Sequence, residues 1–186
     1  MRDQNAENIY NIDHVENMYT DGHARLSSAD ARLEWQRLNS EAFCLFVSKG
    51  ETYSGDSFSI AKSCALRYTA KNHREYYNVV FSNIVEEIKQ MPCLFAERND
   101  DFRRAASNQI VIIGRITGII RQGVSLRFGI KKYGYFKQQL VNDNVSHFGL
   151  LHNDLRTQLD VEHWSIRNGN LQQIISDLNI GIEWLN

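Results

Sequence analysis

The sequence predicts a mainly α fold, a single-domain bundle of roughly six or seven helices. Three observations predict it. Apolar residues recur at steps of three and four along most of the chain. Residues suited to helix starts and stops bracket those runs. No Pro/Gly/Ser-rich linker divides the 186 residues, whose single proline, Pro92, falls after an apolar-periodic run.

The elements follow in order. Residues 1–25 are polar and acidic and form an N-terminal segment, partly helical or extended, ahead of a helical domain over 26–186. "SSADARLEWQRLNSEAFCLFVSKG" predicts a first helix, with Ser27 or Ser28 as cap and Lys49 before Gly50 as stop. "SGDSFSIAKSCALRYTAKN" predicts a second, starting at Asp56 or Ser57 and carrying Phe58, Ala61, Cys64, Ala65 and Tyr68 on one side. "NHREYYNVVFSNIVEEIKQMP" predicts a third, which Pro92 stops. The fourth is "FRRAASNQIVIIGRITGIIRQG", with Asp101 as capping residue and Gly123 as C′ glycine. "NVSHFGLLHNDLRTQLDVEHW" and "NLQQIISDLN" predict the last two. Residues 124–136 alternate like a strand through Val124, Leu126, Phe128 and Ile130, so a short β element and an irregular helix both fit there.

Apolar content of 42% and charged content of 23% are ordinary globular values. The first residues lack the basic and apolar stretches of a secretory signal, and no apolar run approaches a membrane span. Three cysteines, Cys44, Cys64 and Cys93, are an odd number without CxxC spacing. They are expected to be reduced core thiols in a cytoplasmic protein.

Charge is unevenly placed. Residues 102–140 hold eight Lys and Arg and no acid, while the remainder carries 13 basic and 22 acidic side chains. On a helix, Arg103 and Arg121 would share an azimuth on the order of 27 Å apart. Arg104 and Arg115 would flank them, with Ser107, Gly114 and Gly118 between. Arginine forks bind phosphate oxygens in pairs, and small residues between them let a phosphate backbone come close. Arg127, Lys131, Lys132 and Lys137 would extend the track, and Tyr133 and Tyr135, with Phe136, supply rings on which bases stack. The first functional expectation is therefore a non-enzymatic nucleic-acid-binding protein, RNA favoured, with little sequence preference. A homo-oligomer would join several stripes, and neither a membrane nor a cofactor is implied. The alternative is a protein–protein interaction or self-assembly module in which the basic helix docks on an acidic surface, such as residues 1–35 with seven acids and three bases.

Catalytic signatures are sparse. The histidines, His14, His23, His73, His147, His152 and His163, show no zinc spacing, and there is no GxSxG, Walker A or GxGxxG pattern. "LRTQLDVEHWSIRNG" places Arg156, His163 and the pair Arg167-Asn168 near the end of a helical domain. This resembles HEPN-type helical ribonucleases, which carry an Arg and a His on a late helix. The resemblance implies RNA cleavage with Arg156 and His163 as its residues. Arg156 has no polar Asn or Asp after it, and no histidine follows Asn168.

Overall fold

The computed structural model describes residues 27–79, 81–153 and 156–186. It overturns the helical bundle. Among the described residues the chain is mostly β, a seven-stranded mixed sheet curled into a half-barrel with five short helices.

In chain order the elements are α1 (Ser28–Gln36), β1 (Ala42–Ser48), β2 (Ser57–Ala61), α2 (Lys71–Val79), α3 (Phe81–Lys89), β3 (Cys93–Glu97), β4 (Ile110–Gln122), β5 (Ser125–Lys137), α4 (Gln139–Asp143), β6 (Leu151–Asn153), β7 (Arg156–Thr157), β8 (His163–Asn168), α5 (Leu171–Asp177) and β9 (Glu183–Trp184). The sheet runs β2-β5-β4-β3-β1-β8, and β9 adds to β5 beyond the end of β2. Only β1 and β3 are parallel, joined through β2 and the α2–α3 layer; the other pairs are antiparallel. β6 and β7 form a separate two-stranded ribbon.

Helix signals hold where a cap and a single apolar face coincide. Ser27 caps α1 by accepting from the Asp30 N–H at 3.2 Å, and Ala31 and Trp35 face the core. Asn170 caps α5 in the same way, over buried Leu171 and Ile175. α2 and α3 carry Tyr77, Ile84 and Ile88 inward and end ahead of Pro92.

The helix expectations over β1 and β4 fail for one reason. Segments covered on both faces, or rich in β-branched residues, lose the 3.6-residue signal. β1 reads AFCLFVS and is buried from Phe43 to Ser48, as a central strand should be. In β4, eight of the 13 residues are Ile, Val or Thr, which favour a strand over a helix. Its glycines are not a small-residue stripe. A Cβ at Gly114 would strike the Lys131 carbonyl oxygen across the hairpin. Gly123 is the left-handed residue expected, at φ +52°, but it opens a two-residue hairpin loop and ends a strand. Asp101 accepts from the Phe102 N–H at 2.7 Å within a turn. Residues 57–61 are β2, followed by a short 3-10 turn at Lys62–Cys64. Residues 145–164 break into turns, β6, β7 and the start of β8; Leu155 of that expected helix lies outside the described residues, as do residues 1–26. The open segment 124–136 belongs to a strand, β5.

Two register shifts along β4–β5, at Ile113/Gly114 and Ile116/Gly118, bulge the hairpin and curl the sheet. Its two faces then bury two cores. One joins Phe43, Leu45, Val47, Leu94, Ile113, Tyr133 and Phe136 to Trp35, Leu171 and Ile175 from α1 and α5. The other holds Phe46, Phe58, Phe95, Phe128 and Trp164 under Tyr77, Ile84 and Ile88. Phe46 is its centre, stacked on Phe95 and Trp164 at 5.3 and 5.8 Å and edge-on to Phe58 and Phe128 at 5.2 and 5.0 Å. No helix of the described residues is long and apolar enough to cross a membrane.

Because Phe46 is fully buried against four rings, Phe46→Ala is expected to lower the unfolding free energy by about 3–5 kcal/mol. Urea titration followed by circular dichroism measures it, and a loss under about 1 kcal/mol would show that this cluster is not the packing centre.

Candidate functional site

The expected cationic track was to start on one helix face with Arg103, Arg104, Arg115 and Arg121 and to continue through Arg127, Lys131, Lys132 and Lys137. In the sheet its members separate. Arg115 and Lys131 are cross-strand partners at the middle of the β4–β5 hairpin, beneath α1. There Glu34 collects them. Lys131 Nζ meets Glu34 Oε1 at 2.9 Å, the Tyr133 hydroxyl donates to Glu34 Oε2 at 3.1 Å, and Arg115 Nε donates to the Tyr133 oxygen at 3.0 Å. Burial pushes the Glu34 carboxyl up, but the hydrogen bonds and charges of Lys131, Tyr133 and Arg115 outweigh it and hold its pKa below the usual carboxylate value. Tyr133 is fully buried and cannot stack on a base; burial raises its hydroxyl pKa first, and the Glu34 charge adds to that.

The other members lie elsewhere. Lys132 donates to the carbonyls of Tyr53, Ser54 and Gly55 at 3.2, 2.9 and 3.2 Å and closes the loop before β2. Lys137 reaches the Ser107 carbonyl at 3.0 Å. Arg103 and Arg104 stand exposed on the loop between β3 and β4, Arg103 at φ +55° with Nη2 on the Asn142 carbonyl at 3.4 Å. Arg121 is exposed beside the hairpin tip, and Arg127 donates to the Ser57 hydroxyl at 2.9 Å. The Tyr135 hydroxyl donates to Glu183 Oε2 at 2.6 Å, and that bond and charge raise its pKa. A strand as long as β4 spans up to about 40 Å, so Arg104 and Arg121 sit at opposite ends. A track carried by one basic helix, and RNA binding as a property of an all-α bundle, are thereby corrected: the helix expected over 102–123 is a loop followed by strand β4.

The ribonuclease resemblance loses its geometry in the same way. Arg156 is exposed on β7 and His163 is buried on β8, not together on a late helix. His163 Nδ1 lies 2.7 Å from the Val161 carbonyl, which can only accept, so Nδ1 carries the proton. Nε2 is buried without a hydrogen-bond partner, and the ring packs edge-on against Tyr68 at 4.7 Å. Burial, aided by the charges of Arg67 and Arg167, pushes the imidazole down to about 4. Among the described residues no three His, Cys, Asp or Glu side chains gather as a metal cage. Cys44 and Cys93 are buried free thiols on facing positions of β1 and β3, and burial raises the Cys93 thiol.

Two features were not legible in the sequence. The first is a buried amide network that pins the loop carrying Arg103. Asn99 Nδ2 donates to Asn142 Oδ1 and Asp160 Oδ1 at 2.9 and 2.8 Å, Asn142 Nδ2 returns a bond to Asn99 Oδ1 at 2.9 Å, and Gln138 Nε2 adds another at 2.9 Å. Its residues come from three separate stretches, so no local motif announces it. The second is an open cleft of about 400 Å³ between α1, α5 and β9. Trp35, Ile175, Ile180, Ile182 and Trp184 form its apolar wall; Arg32, Gln36, Gln172 and Ser176 supply its polar groups. The Arg32 guanidinium carbon lies 5.4 Å from the centre of the Trp184 ring. The only sequence trace of it is the apolar ending "IGIEWLN", too short to carry a period.

The His163 environment sets a pH dependence. The unfolded chain protonates this imidazole near pH 6.5, the folded chain only near 4. Its contribution is therefore complete above pH 6.5 and is lost as pH falls toward 4, by about 3 kcal/mol in all. Urea unfolding at stepped pH should show this slope in the parent and lose it in His163→Phe; an unchanged slope in the variant would place the acid sensitivity elsewhere. Comparison with protein-family models, with curated proteins and with solved structures found no match.

Proposed function

We propose that the chain is a non-enzymatic interaction module that seats an apolar, negatively charged group of a partner in the cleft between α1, α5 and β9. One observation carries this: an arginine laid over a tryptophan at the edge of a cleft walled by two Trp and three Ile. Ligand sites combine an apolar wall with a few fixed polar groups, and a volume of about 400 Å³ suits an aromatic side chain or a small ring system. Stacking on Trp184 limits the rotamers of Arg32 while leaving its N–H groups for a carboxylate or sulfonate. The acidic docking partner of the sequence-based alternative thus meets a cation on α1 instead of a basic helix.

Contact with a nucleic-acid backbone remains a second proposal. It is carried by exposed Arg103 and Arg104 on a loop held rigid by the Asn99 network. Filter binding at two salt concentrations tests it: Arg103→Glu/Arg104→Glu should abolish a salt-sensitive signal, and equal binding by parent and variant would end it.

The cleft is tested with anilinonaphthalene sulfonate, an aromatic anion whose fluorescence rises in apolar surroundings. The parent is expected to bind it, and Trp184→Ala and Arg32→Glu each to weaken binding about tenfold with circular dichroism unchanged. Equal binding by all three folded proteins would overturn the assignment.

A further inference from the structure

The two edges of the sheet are treated differently. At the β8 edge the chain supplies its own cover: the Arg67 N–H donates to the Trp164 carbonyl at 3.2 Å, and the Thr69 hydroxyl accepts from the Ile166 N–H at 2.9 Å. At the β2 edge, among the described residues, β2 pairs with β5 alone. The register shows which groups face outward. Ile130 N–H donates to the Asp56 carbonyl and Lys62 N–H to the Val124 carbonyl, so the hydrogen-bonded pairs along this ladder fall at even-numbered residues of β2. The N–H and C=O groups of Ser57, Ser59 and Ala61 therefore point away from the sheet. An uncovered strand edge is a template for another strand. Between Ser57 and Ala61 there is neither charge nor proline to refuse one.

The geometry points to a second copy of this chain as the occupant, with β2 pairing antiparallel to its own counterpart about a two-fold axis at Ser59. In that register Ser59 faces Ser59, Ser57 faces Ala61, and about six main-chain hydrogen bonds form between the outward groups. On the outer face the paired residues Ser57, Ser59 and Ala61 have small side chains. On the inner side Phe58 comes beside Ile60, so the buried faces of the two sheets continue into each other. The register also sets Asp56 of each copy opposite Lys62 of the other, and both residues are exposed at the strand ends. A slip of two residues in either direction loses both charge pairs, setting Asp56 opposite Ile60 or Lys62 opposite Phe58. The end charges thus select one register, a device that matters where small, polar outward residues select little. The interface is distinct from the cleft, whose residues come from α1, α5 and β9.

The full chain is examined by sedimentation equilibrium from micromolar to millimolar concentration. A reversible dimer is expected. Ser59→Pro removes an outward N–H that β5 does not use, and should leave a folded monomer. Asp56→Lys and Lys62→Asp should each weaken the dimer about tenfold, and the double swap Asp56→Lys/Lys62→Asp should restore it to within about threefold. The charge series decides the matter if Ser59→Pro does not fold. A parent that stays monomeric, a folded Ser59→Pro that still dimerises, or a double swap as weak as the single variants would overturn the proposal. Arg32→Glu should dimerise like the parent, which separates this result from that of the cleft.

Discussion

Two thirteen-residue strands, β4 and β5, pair along their length and are bulged twice, and the rest of the molecule is arranged around the curl this produces. Bulges raise the local twist, and a twisted sheet of this length cannot lie flat against one layer of helices. It cups one core toward α1 and α5 and turns the other toward α2 and α3. The parallel pair β1 and β3 lies beside the hairpin, walled on both faces, and for that reason is apolar nearly throughout. Fully buried Phe46, at the contact of five rings, marks where sheet curvature and helix packing meet.

The polar residues are distributed by the same geometry. Cations brought to the middle of the hairpin cannot be left half-buried and unanswered, and α1 supplies one carboxylate, Glu34, to Lys131 directly and to Arg115 through Tyr133. Cations at the ends of the hairpin keep contact with solvent. The Asn99, Gln138 and Asn142 amides hydrogen-bond to one another where the β3–β4 loop crosses the start of α4. The two surfaces proposed for partners, the Arg32–Trp184 cleft and the outer edge of β2, lie apart from these two networks.

Legibility in the sequence followed exposure. α1 and α5 could be read because each has a capping side chain and one buried face, and α2 with α3 because Pro92 sets a stop after an amphipathic run. The alternation in residues 124–130 was visible because one side of β5 is partly open there. β4 was misread because a run of six isoleucines among 13 residues satisfies a helical wheel as easily as a strand when both strand faces are covered. Gly114 and Gly123 were correctly singled out as special, yet the same φ freedom and lack of Cβ serve a hairpin as well as a helix end.

By itself the sequence determined local matters: the Ser27 cap of α1, the burial of Cys44 and Cys93 though not of Cys64, which is only partly buried, and the gathering of positive charge in residues 102–140. Only the tertiary structure decided which strand lies beside which, that Glu34 answers the cations 81 and 97 positions away, and that Arg32 meets Trp184 across a cleft. The physical reason is range. Caps and turns are settled within a few residues, whereas strand partners, desolvation and charge pairing depend on groups that only folding brings into contact.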